Sequence, residues 1–239
     1  MSAQTKLIAG EFKRLTKYNI LTASQATAGI WVLLLLFMSA REALRIAPLL
    51  IFVDVAAMSI LLLGASHHLE KQDGTMKTMM VLPVTTGQIL AAKTCASVAL
   101  TLGSAVATAV ALYLIHRITV NYALLLLFDI VAGVAHAAIG LVLSLRSRDF
   151  NAMLGLLMAY MFVFTIPSIM FSLDVIDARH EWLLMISPSH CANHLMRAVV
   201  SGDISTGTAI GACAYLTILA AVLFKFAVFP SFKDNVVRG

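Results

Sequence analysis

Apolar residues run in long blocks along this chain, and polar residues fall at the seams between them. Read as helices, the blocks predict spans at about 21–40, 46–66, 93–115, 121–145, 152–172 and 208–229. Each approaches the ~20 residues that a helix needs to cross hydrocarbon. Arg41, Glu42 and Arg45 mark a first tight turn, His116 to Val120 a second, and Arg146 to Asn151 a third. Pro48 and Pro167 fall inside spans, and Pro230 is expected to stop the last one. Ahead of the first span, Ile8, Phe12 and Leu15 form one stripe at i, i+4 and i+7, among Lys6, Lys13, Arg14 and Lys17. That pattern predicts a helix lying in the membrane interface over residues 1–20. Two longer polar stretches interrupt the blocks, at 67–92 and 173–207. The fold class is therefore all-α: one polytopic membrane domain over 1–239 with six transmembrane helices.

Composition supports lipid as the solvent. Apolar residues make up 60% of the chain and charged residues 12%, where soluble domains carry roughly 25%. Such a chain has too little polar surface for a water-facing exterior. A net charge of +5 spread along the sequence argues against nucleic acid as a partner. The scattered Cys95, Cys191 and Cys213 do not make a disulfide framework. No cleavable signal peptide is expected, since the first apolar run follows the amphipathic stretch. Placing the N-terminus inside puts twelve Lys and Arg residues on inner segments and five on outer ones, which predicts both ends in the cytoplasm.

Candidate chemistry sits in the interruptions and at a few ionisable positions within spans. The inner stretch opens with Glu70, Lys71, Gln72 and Asp73. It continues through Gly74, Thr75 and an amphipathic Met76, Lys77, Thr78, Met79, Met80, Val81, Leu82, and ends at Pro83. A short helix held beneath the membrane in this way suits docking into a groove of a cytoplasmic partner, or lies at the interface without one. Thr85 or Thr86 is the expected N-cap of the next helix. Asp54 falls mid-span in the second helix, while Asp129 and His136 share a face of the fourth. Burying such groups is costly, so they line a path, lie at a dimer interface, take up protons, or bond helix to helix. Met161 and Phe164 belong to a Met- and Phe-rich stretch of the fifth span, adaptable enough for a hydrophobic ligand path. Gly133, Ala137 and Gly140 permit close helix packing.

The outer stretch is expected to place an amphipathic segment, 188–200, at the outer membrane surface, with apolar Leu195, Met196, Val199 and Val200. His190 and His194 have the i, i+4 spacing of zinc ligands, but no carboxylate lies close in sequence to complete a site. No phosphate-binding loop, nucleophile elbow or His-Glu-x-x-His occurs, so neither catalytic residues nor a metal nor a bound cofactor is expected.

Glu70, Asp73-Gly74-Thr75, Leu82-Pro83-Val84, Gln88-Ile89-Leu90 and Lys93 resemble the stretch after the second span of ABC-2 type transporter permeases, in particular small drug-export permeases. The segment with Glu11 and Lys13-Arg14 is similar to that family's elbow helix. Ser187-Pro188, Leu195, Arg197-Ala198 and Gly202-Asp203 resemble its short helices between spans five and six. The resemblance implies a dimer, with a second copy or a sister permease, in a bacterial plasma membrane. It implies that ATP and Mg are held by a separate ATP-binding subunit in the cytoplasm, contacted through a coupling helix at about 70–82. The implied cargo is a drug, antimicrobial peptide or lipid-like molecule. The rival expectation is an ion- or proton-coupled secondary transporter using Asp54, Asp129 and His136; no inverted repeat supports it.

Overall fold

The computed structural model describes residues 3–75, 83–202 and 205–232. Every regular element among them is helical. α1 (Ala3–Lys17) and α2 (Ile20–Leu36) meet at 71°, where Asn19 adopts a left-handed conformation at φ 56°. Asparagine is one of the few residues that tolerates this region. There follow α3 (Ala40–Gln72), α4 (Thr86–His116), α5 (Tyr122–Arg146), α6 (Phe150–Ser172), α7 (Pro188–Ser201) and α8 (Thr206–Phe232). Five of these are long and apolar enough to cross a membrane, and the bent pair α1–α2 brings the number to six.

The ends of several elements differ from the sequence pattern. The first turn lies at Phe37–Ser39, and Arg41, Glu42 and Arg45 belong to the opening turns of α3. Ser39 and Glu42 form a capping box: the Ser39 hydroxyl accepts from the Glu42 amide, and the Glu42 carboxylate accepts from the Ser39 amide at 2.8 Å. α3 then continues to Gln72, so His67, His68 and Glu70 are buried helical residues and not part of a loop. Its 33 residues span about 50 Å at 1.5 Å each, well beyond a ~30 Å hydrocarbon layer. Pro230 does not end α8, which runs to Phe232. Pro167 and Pro230 share a reason for being tolerated. The residues four before them, Val163 and Phe226, lie in π-helical turns, Met161–Thr165 and Phe224–Val228. A widened turn absorbs both the missing amide and the ring's clash with that carbonyl.

α3 and α5 form the buried centre, with α4 beside them and α6 and α8 towards the outside. At Gly140 the α5 backbone comes so close to α3 that an added Cβ would stand 3.0 Å from the Ile60 Cα. α7 is the largest departure from expectation. It does not lie on the outer surface but is inserted among α3, α5 and α8, with Leu195, Met196, Val199 and Val200 in the main core. Ser189 and Asn193 on it are buried too and bonded to α6, so polarity there marks a helix contact and not a solvent face.

The chain thus has two distinct ends. α1, Asp73 (bonded to Lys17), Ser147 (bonded to His68) and Phe232 (beside His67) occupy one, the base. The turns at 37–39 and 117–121, and the 173–187 segment, occupy the other; the His116 ring donates to the Leu35 carbonyl there, and Arg45 pairs with Asp174.

Candidate functional site

At the base, three helices meet around four charged side chains. Lys93 Nζ, on the second turn of α4, lies 2.5 Å from Glu70 Oε2 and 3.5 Å from Glu11 Oε1. Arg14 pairs with Glu11 on its own helix and approaches Glu70 Oε1 at 3.4 Å, where the Ser66 hydroxyl also donates. Two cations face two carboxylates, so the cluster is neutral. Glu11, Glu70 and Lys93 are almost wholly enclosed. Burial works against the charged Arg14, yet Glu11 and then Glu70 outweigh it and raise its pKa above the ordinary value. The spacing that builds the cluster is simple: Glu11 and Arg14 are one turn apart on α1, and Glu70 closes α3 as Lys93 opens α4.

A second, exposed tie sits below it. Asp73 accepts from Lys17 Nζ at 2.7 Å and from the Tyr18 hydroxyl at 2.8 Å. Those two bonds, Lys17 first, hold the Asp73 carboxyl below its usual range. Its contribution is therefore present above about pH 4 and lost only as acid takes it through its folded value. Gly74 follows at φ 68°, a left-handed position suited to glycine. α4 begins behind a Thr85–Gln88 capping box. Of the residues expected to meet a partner, Glu70 is enclosed, Asp73 is exposed, Gly74 and Thr75 are half-buried, and Pro83 is exposed. Met76, Lys77, Met79 and Met80 lie outside the described residues.

The intramembrane ionisable groups are enclosed by this chain's own helices. The Trp31 indole donates to Asp54 Oδ1 at 3.4 Å, and the Thr101 hydroxyl to Asp129 Oδ2 at 2.9 Å. His136 Nδ1 donates to the Ala132 carbonyl at 2.8 Å, with its ring edge-on to Tyr160. Asp129 and His136 therefore have partners on different helices, and the structure does not make them one site. The features that sequence reading missed are on α4. Ser97, Thr101, Ser104 and Thr108 recur at i, i+4, i+7 and i+11, a buried polar stripe whose members reach Ser59 and Asp129. The helical period alone would have found it.

Towards the other end, the π turn of α6 exposes the Phe164 carbonyl to two donors, the hydroxyls of Ser168 and Ser187. Met161 and Phe164 are half-buried, and Phe164 packs on Tyr160 at 5.2 Å. Tyr160 and Thr165 both bond to Ser189, and Asn193 donates to the Ser168 carbonyl and Ser172 hydroxyl. The structure also supplies the carboxylate absent from the neighbourhood of the histidine pair. Glu181 Oε1 stands 3.3 Å from His194 Nδ1 and 3.7 Å from His190 Nε2. The Thr208 hydroxyl donates to Ser205, so His194 Nε2 donates to Thr208 and its Nδ1 faces the carboxylate.

Burial lowers the His190 pKa to about 4, with Glu181 opposing and His194 and Arg197 reinforcing it. A base whose folded pKa is depressed destabilises the fold once the unfolded chain can take the proton. Stability is then full above roughly pH 6.5 and declines as pH falls towards the folded value. Thermal unfolding of the purified chain is expected to shift down between pH 7.5 and 5, and His190→Asn to flatten that dependence. An unchanged slope in the variant would exclude His190 as its source.

The sequence model described as ABC-2 family transporter protein matches residues 36–229, from the end of α2 into α8. No curated protein matches the chain.

Proposed function

The chain belongs to the ABC-2 transporter family, and on that premise we propose that it is the membrane permease of an ATP-driven exporter powered by a separate ATP-binding subunit. The base is the cytoplasmic end, with both termini there, as the excess of Lys and Arg on its segments indicates. α1 lies in the inner interface of a bacterial plasma membrane, and α2 is the first of six spans.

One observation carries the reading: the buried Glu11–Arg14–Glu70–Lys93 cluster fixes both roots of the 73–85 connection to α1. A partner pressing on residues 70–83 would move α3 and α4 together and not merely bend a loop. Glu70 acts from inside as a positioning residue, while Asp73, Gly74, Thr75, Pro83 and the intervening Met76, Lys77, Met79 and Met80 meet the partner. Two permease copies, or this chain and a sister, rock against each other to open the path outward. Met161 and Phe164 face that path, and the cargo is hydrophobic or amphipathic. Asp54 and Asp129 serve as internal polar joints between moving helices, and His136 packs edge-on against Tyr160.

The test is co-purification of the chain with an ATP-binding subunit from its native membrane, followed by efflux from vesicles holding both. Efflux is expected only with hydrolysable ATP. One observation favours the proton-coupled rival: Asp129 Oδ1 has no hydrogen-bond partner among the described residues. That rival predicts accumulation driven by a pH gradient without ATP, and such transport would displace the present reading.

A further inference from the structure

At the end of the bundle away from the base, Arg41 and Arg45 on the first turns of α3 and Arg197 on α7 line one cavity of about 310 Å³. Asp174 is the one carboxylate on its described wall, and it is taken by Arg45 at 2.5 Å. The Arg197 guanidinium lies over the Phe171 ring at 5.3 Å. Among the described residues, neither Arg41 nor Arg197 has a carboxylate within ion-pair distance. Among the described residues of the wall, three guanidiniums stand against one carboxylate.

Two further features narrow the ligand. Leu44 and Leu49 form part of the same wall, so an anion bound there has apolar surface beside it. Phe37 and Trp182, 84% and 67% exposed, stand at this end of the chain. Exposed aromatic side chains collect at the headgroup level of a bilayer. Guanidinium is the side chain suited to planar, two-pronged capture of phosphate oxygens. A free anion would use the arginines but not the leucines or the depth.

We propose that this cavity is a lipid site, in which Arg41 and Arg197 hold the phosphodiester of an outer-leaflet phospholipid while its glycerol and upper acyl carbons rest on Leu44 and Leu49. The site is separate from the base and does not depend on which cargo the permease carries.

Native mass spectrometry of the full chain in detergent tests it, with three probes titrated in parallel: phosphatidylglycerol, a diacylglycerol of the same chains, and inorganic phosphate. Phosphatidylglycerol is expected to bind about tenfold or more tightly than the diacylglycerol, the scale of one lost charge-assisted contact. The double variant Arg41→Ala/Arg197→Ala should remove that preference, and Arg41→Lys/Arg197→Lys should restore part of it. Equal binding of the two lipids by the wild-type chain overturns the proposal, as does a preference that survives in the alanine pair. Binding of inorganic phosphate in place of phosphatidylglycerol, lost in the same pair, would assign the cavity to a free anion and overturn the lipid. Should the alanine pair fail to fold, the wild-type comparison of the two lipids still decides.

Discussion

Lys93→Met is expected to lower the thermal midpoint of the purified chain by roughly 6–20 °C. The figure follows from the cost of breaking a buried ion pair, about 3–5 kcal/mol, and the roughly 2–4 °C per kcal/mol usual for chains of this size. The mechanism is specific. Lys93 serves two enclosed carboxylates, Glu11 and Glu70, and neither can reach water once the ammonium is gone. Arg14 remains, but it is already paired with Glu11 and only approaches Glu70. Removing Glu70 as well should return much of the loss, because Lys93 and Glu70 then leave as a pair and Glu11 keeps Arg14. The double variant Glu70→Gln/Lys93→Met is thus expected to be more stable than Lys93→Met alone. Size-exclusion profiles after heating give both values. If the single and double variants lose the same amount, Glu70 is not what Lys93 stabilises.

Gly140→Leu is expected to be the most damaging of the glycine replacements, costing about 1–3 kcal/mol or more. The obstacle at Gly140 is backbone: a Cβ meets the Ile60 Cα at 3.0 Å, and α3 and α5 must part to admit a side chain. That separation would disturb the two helices at the centre of the molecule. Gly155→Leu is the control, since nothing lies within 4 Å of its added Cβ and the residue is exposed. Gly140→Ala should fall between them. Equal stability of the two leucine variants would show that α3 and α5 yield at this point.

Much of the architecture was legible from the blocks of apolar residues, because a membrane demands uninterrupted helices and says so over twenty residues at a time. Element ends were less so. The Ser39-x-x-Glu42 box is a local signal of a helix start, yet hydropathy places the turn where the charges are, at Arg41–Arg45. Within the base, Glu11, Glu70 and Lys93 could be seen as charges near a membrane surface, and their burial could not. It arises because α1 folds back at Asn19 and covers the gap between the ends of α3 and α4. α7 was opaque for a related reason. Ser187, Ser189, His190 and Asn193 read as a wet face, but the partners that satisfy most of them belong to α6. Glu181 reaches the histidine pair only through the turn between α6 and α7. Sequence proximity carries none of these contacts.

The connection between α3 and α4 is, on the proposed function, the place where a partner's work enters. The most direct measurement replaces residues 76–82 by a glycine–serine linker of equal length and follows ATP hydrolysis and cargo efflux in vesicles holding the permease and its ATP-binding subunit. The expected result is a permease that is folded, with its thermal midpoint little changed because the Glu11–Arg14–Glu70–Lys93 cluster is untouched, but whose efflux is lost. Efflux and cargo-stimulated hydrolysis equal to the wild type would contradict it.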